Sequence, residues 1–219
     1  MSRRVVFLLL AILIIPFAAL ADGNKVEQTG AFADQTASES VRKSLDAKGH
    51  KVVLSDGSTL CEIWLRSQLP AGKTDVAGAS YTGIGESAIV GVINFPKQST
   101  DYRGQQVKAG SYTLRYALYP PDGNHMGISQ IRDFLLLIPV GLDQNADAQY
   151  KFEELTKMSA KTTGTTHPAV ISLAMPEGKA GAARITANDH GHLVFSAAAK
   201  SASGTDTPIA FVVKGVAEQ

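Results

Sequence analysis

From His50 onward the chain repeats one pattern, a short β-prone run bounded by Gly, Pro, Asp, Asn or Ser, and this rhythm excludes most folds. The clearest instance is Lys51-Val52-Val53-Leu54, then Ser55-Asp56-Gly57-Ser58, then Leu60 to Arg66: two strand-like runs around Asp-Gly predict a hairpin. Further strands are expected at 88–95, 111–119, 133–139, 170–173, 184–186, 193–195 and 209–213. Helical spacing is confined to 38–49, where Ser38 is a polar N-cap and Gly49 a stop, and to 146–160. About nine strands with at most two short helices, and no alternation of strand with helix, predict a mainly β chain. The expected fold is a single antiparallel β-sandwich or jelly-roll-like domain with one or two short helices.

The period-two reading also assigns faces. Cys61, Ile63 and Leu65 share one face of their strand and read as core, while Glu62, Trp64 and Arg66 share the other. Trp64 is then either an exposed platform for a sugar ring or a side chain covered by the N-terminal helix, and the second reading is preferred because the chain has only one Trp. Tyr112, Leu114, Tyr116 and Leu118 alternate with Thr113, Arg115 and Ala117, the pattern of a half-buried strand. Ala88 to Phe95 is apolar almost throughout and predicts a strand buried on both faces.

The first residues have another character. Arg3-Arg4 precede an apolar run from Val5 to Leu20, and Ala19-Leu20-Ala21 ends it before Asp22. A cationic head, an apolar stretch and small residues at the end form the pattern of a secretory signal peptide, with cleavage expected after Ala21. An uncleaved anchor is the alternative, disfavoured by Pro16 and by the small residues before Asp22. The Arg pair invites comparison with a twin-arginine signal, but the strongly apolar run favours the general route. The expected organisation is a signal peptide over 1–21, a flexible leader over 22–36 and a β-sandwich over 37–219, working in the periplasm or outside the cell. Contact with a membrane is then expected only through the signal peptide during export.

Loss of Arg3 and Arg4 moves the formal charge from +1 to −1, so no basic surface exists to attract nucleic acid. Cys61 is the sole cysteine, so no internal disulfide can form and an apolar core must hold the fold.

Catalytic signatures are missing. The sequence contains no Gly-x-Ser-x-Gly elbow, no His-Glu-x-x-His and no phosphate-binding loop motif. Gly83-Ile84-Gly85 starts like a dinucleotide fingerprint but precedes a strand, where that mechanism needs a helix N-terminus. Cys61, on a core face, reads as an inert thiol.

Two sets of candidate site residues are left. Asp122, Asn124 and His125, with Arg132 and Asp133 at the entry to a buried strand, form an unusual loop where a sandwich gathers binding residues. His125, His167, His190 and His192 all sit near turns. His190 and His192 would share one face if the segment were a strand, as a transition-metal site would require. The competing reading is ordinary solvated loops, with no cofactor.

Val107-Lys108-Ala109-Gly110-Ser111-Tyr112-Thr113-Leu114 resembles the Ala-Gly-x-Tyr-x-Leu hairpin of a family of exported bacterial proteins of unknown function. The resemblance covers about 30 residues, implies an exported β-domain and carries over no catalytic residue. The leading expectation is a non-enzymatic module that binds a ligand or an envelope partner. A metal-binding protein or metal-dependent hydrolase built from the turn histidines is the alternative.

Overall fold

The computed structural model describes residues 23–73, 76–120 and 131–217. The elements in chain order are β1 (Lys25–Thr29), α1 (Glu39–Ser44), β2 (Gly49–Val53), β3 (Thr59–Leu65), β4 (Ile89–Phe95), β5 (Ser99–Thr100) and β6 (Gln106–Val107), then β7 (Gly110–Leu118), β8 (Asp133–Pro139), α2 (Phe152–Thr163), β9 (Val170–Ser172), β10 (Arg184–Ala187), β11 (Leu193–Lys200) and β12 (Asp206–Lys214). Every pairing is antiparallel. A seven-stranded sheet runs β1-β2-β3-β4-β7-β8-β9, a three-stranded sheet runs β10-β11-β12, and β5-β6 is a separate hairpin. The expected mainly β sandwich with two short helices is the fold observed. No helix among the described residues is long and apolar enough to cross a membrane.

The core lies between the two sheets. Cys61, Ile63, Leu65, Leu114, Tyr116, Leu135 and Leu137 of the large sheet pack on Phe195, Ile209, Phe211 and Val213 of the small one. The sheets join at one side, where Leu173 bridges to Phe211 and the Ala174 amide donates to the Ala210 carbonyl. Burial pushes the Cys61 thiol far above its usual range, which keeps it protonated.

The outer face of the large sheet is buried as well. Val41 and Leu45, in and just after α1, cover Trp64, Ile89 and Val92. Leu155 of α2 covers Phe134, Leu136, Ile138 and Val170. Trp64 is therefore beneath the N-terminal segment, with Phe32 against its ring at 5.0 Å and its indole N–H donating to the Gly30 carbonyl at 2.8 Å. Gly49 is needed opposite, because a Cβ there would lie 2.4 Å from the indole nitrogen.

Between the two helices, β7 corrects the sequence expectation of a half-exposed strand. Arg115 is fully buried between Ile89 and Leu136, and Asp143 neutralises it through hydrogen bonds of 2.7 Å to both carboxylate oxygens. Its remaining N–H groups donate to the carbonyls of Ser87, Asn145 and Ala148, so all five donors are satisfied. Thr113 donates to the same Asp143 carboxylate, and the Tyr150 ring lies 4.8 Å from the guanidinium. A buried charge with a complete set of partners is tolerated inside a strand that alternation alone marks as exposed.

Other boundaries shift for local reasons. The segment expected as a flexible leader instead contributes β1, paired along its whole length with β2, and buried Phe32. Glu27 of β1 bridges Lys25 and Lys51, and their hydrogen bonds and charge hold its carboxyl at about 2. α1 starts after Ser38, whose hydroxyl accepts from the Val41 amide, but it ends at Ser44, and Gly49 opens β2. α2 begins at Phe152 because the carbonyls of Asn145 and Ala148 are turned toward Arg115.

Candidate functional site

The strand directions divide the loops between two ends. One end carries the 54–58 turn, the β5-β6 hairpin, the 188–191 turn and residues 214–217. The opposite end carries residues 66–73 and 76–88, the 201–205 turn, and Pro120 and Ile131 on either side of the segment 121–130. A cleft with a volume of about 460 Å³ opens at this second end.

The cleft is built on the Gly-rich segment between β3 and β4. Residues 70–73 and 82–85 pair as a short antiparallel ribbon: the Gly72 amide donates to the Gly83 carbonyl at 3.0 Å, and the Gly85 amide to the Pro70 carbonyl at 3.1 Å. Gly72 makes this possible, since a Cβ there would meet the Ile84 carbonyl oxygen at 2.2 Å. Pro70, Val76, Ile84 and Leu118 supply apolar lining, and Lys73, Thr82, Glu86 and Gln149 supply polar groups.

Two hydrogen-bonded networks flank this ribbon. Asp133 accepts from the Ser80 and Tyr81 amides at 2.8 and 2.9 Å and from the Tyr116 hydroxyl at 2.6 Å. Burial, reinforced by the bond to Asp133, pushes the Tyr116 phenol well above its ordinary range, so it stays a donor. Arg132 donates to the carbonyls of Ala77 and Tyr119. On the other side Ser87, buried next to Glu86, adopts a left-handed backbone with φ of 68°, unfavourable for a residue with a Cβ. It is held there by its amide on the Tyr116 carbonyl, its carbonyl on Arg115 and its hydroxyl on the Tyr150 amide.

The sequence-derived candidates fare unevenly. Arg132 and Asp133 stand at the cleft end, but Asp133 is fully buried with its oxygens engaged, and Arg132 is spent on carbonyls; both support the ribbon. Asp122, Asn124 and His125 lie outside the described residues. His167, His190 and His192 stand at the opposite end from Pro120 and Ile131, across the length of β8, about 20 Å at ~3.3 Å per residue. His190 and His192 occupy a turn rather than a strand, with Gly191 left-handed between them and ring centroids 5.7 Å apart. Nε2 of His192 is 3.0 Å from the Val216 carbonyl oxygen, and its ring packs edge-on against Tyr102. Among the described residues no three His, Cys, Asp or Glu side chains come together as a metal-binding group.

The sequence reading missed Lys73, Thr82, Glu86 and Gln149. The one available signal was the spacing of Gly72, Gly83 and Gly85, which permits close approach of two backbones. No protein-family model, no curated protein and no solved structure matches this chain.

Proposed function

We propose that this protein is an exported, non-enzymatic binding module that takes a small ligand in the cleft between residues 70–73, 82–86 and Gln149. The observation that carries the reading is a pre-held cleft whose polar side chains are not used by the fold. Lys73 and Glu86 are exposed, and among the described residues neither makes an ion pair or a side-chain hydrogen bond. Among the described residues, Cys61 is buried and protonated, Asp133 is saturated, and His192 is packed against Tyr102. A rigid scaffold presenting a cleft of this size matches the general form of a ligand site. The N-terminal signal pattern and the exported-family resemblance support placing that module in the periplasm or beyond.

The test is a thermal-shift screen of the purified protein against amino acids, dipeptides, monosaccharides, nucleosides and divalent metals, paired with turnover assays on ester, glycoside and peptide substrates. The expected result is a ligand that raises the melting temperature of the native protein but not of Thr82→Trp, which fills the cleft, with no turnover. Turnover lost on Glu86→Gln, or stabilisation that survives Thr82→Trp, would overturn the proposal.

A further inference from the structure

We infer that the cleft selects a small zwitterion with an apolar side chain, an amino acid or a short peptide; this deepens the binding proposal and rests on it. Lys73 and Glu86 line the same cleft with opposite charges, yet no hydrogen bond or ion pair joins them across it. Elsewhere on this surface opposite charges do close on each other, as in Lys43–Glu39 at 2.7 Å and Lys200–Asp206 at 2.6 Å. A ligand carrying an ammonium and a carboxylate engages both groups at once, the ammonium on Glu86 and the carboxylate on Lys73. A neutral ligand uses neither, and a singly charged one leaves the other hydrated.

The surfaces between the two charges add a third requirement. Half-buried Val76 and Leu118 offer an apolar lining, backed by Ile84, which is packed into the core beneath the cleft. Thr82 and Gln149 add hydrogen-bonding groups suited to a peptide amide. The cleft volume of about 460 Å³ falls within the usual range of small-molecule sites.

Of the two charged residues, Glu86 has the better-held backbone. Its neighbour Ser87 is locked left-handed by three hydrogen bonds to separate elements. Glu86 and Ser87 are the central residues of the turn closed by the Ala88 amide on the Gly85 carbonyl, so the Glu86 backbone is fixed at the cleft wall.

The experiment is an amide-resolved NMR titration of the purified protein with three probes: the free dipeptide Ala-Leu, its N-acetyl derivative and its C-terminal amide. The free dipeptide is expected to shift the signals of residues 70–73 and 82–86. Each capped form should bind about fivefold more weakly, the upper end for one partly exposed ion pair. Glu86→Gln should weaken the free dipeptide by the same factor and leave the N-acetyl form unchanged; Lys73→Gln should do so for the free dipeptide and leave the amide unchanged. Equal binding of all three probes at the cleft would overturn the zwitterion assignment while leaving a binding cleft. Absence of any shift at 70–73 and 82–86 with the free dipeptide would also overturn it, and the Thr82→Trp comparison then decides the broader proposal separately.

Discussion

Replacing Asp143 with Asn tests whether the molecule depends on its buried Arg115 network. The substitution keeps size and shape but removes the only negative charge bonded to a guanidinium with no solvent access. Of the two hydrogen bonds of 2.7 Å, one exchanges a carboxylate acceptor for a neutral amide oxygen and the other is lost, because the Asn side-chain nitrogen cannot accept. Breaking a buried pair in this way costs about 3–5 kcal/mol, since the remaining charge stays desolvated. For a domain of this size, a loss of about 4 kcal/mol lowers the melting temperature by roughly 8–16 °C. Trp64, the sole Trp and itself buried, reports unfolding by fluorescence during urea denaturation. Glu39→Gln is the control, breaking an exposed helix pair whose loss should leave the urea midpoint essentially unchanged. A loss below about 1 kcal/mol for Asp143→Asn would mean that Arg115 does not depend on this carboxylate, because that is the range of a solvated pair.

Two further outcomes follow from the packing. Trp64→Ala removes the side chain that joins Phe32, α1 and Gly49 and leaves the Gly30 carbonyl without its donor; a loss of about 3–5 kcal/mol is expected in urea denaturation, and under about 1 kcal/mol would contradict its buried placement. His50 packs against Phe195, and burial lowers its pKa below 6.5 despite the opposing charge of Asp46. The folded state therefore binds fewer protons at His50 than the unfolded chain, so its contribution is present above pH 6.5 and is lost as pH falls through and below that value. Denaturation midpoints at pH 7.5 and pH 5, roughly one unit above and more than one unit below the ordinary His value, should differ less in His50→Gln than in the native protein; an unchanged difference would remove His50 as the cause.

The elements that could be read in the sequence are those whose signal is local. The Asp56-Gly57 turn specifies the β2-β3 hairpin, and the apolar run over Phe134–Ile138 specifies a buried strand, here interior but next to the edge, because each depends on neighbouring residues alone. β1 escaped because Lys-Val-Glu-Gln-Thr has no apolar period; pairing with β2 and the ion pairs around Glu27 make it a strand. Arg115 escaped because its neutralisation by Asp143 and three carbonyls spans about 30 residues of sequence. The cleft escaped for the same reason, since its walls come from 70–73, Val76, 82–86, β7 and Gln149. The histidines misled because equal spacing in a turn and in a strand gives different side-chain directions, and Gly191 makes this segment a turn.

The most direct test of the central claim is to locate the ligand site by amide NMR, using whichever compound stabilises the protein in the thermal screen. The account predicts chemical-shift changes at residues 70–73, 82–86 and 149, with the 188–192 and 214–216 signals unmoved. Shifts concentrated at 188–192 and 214–216 would place recognition at the other end of the sandwich and contradict it.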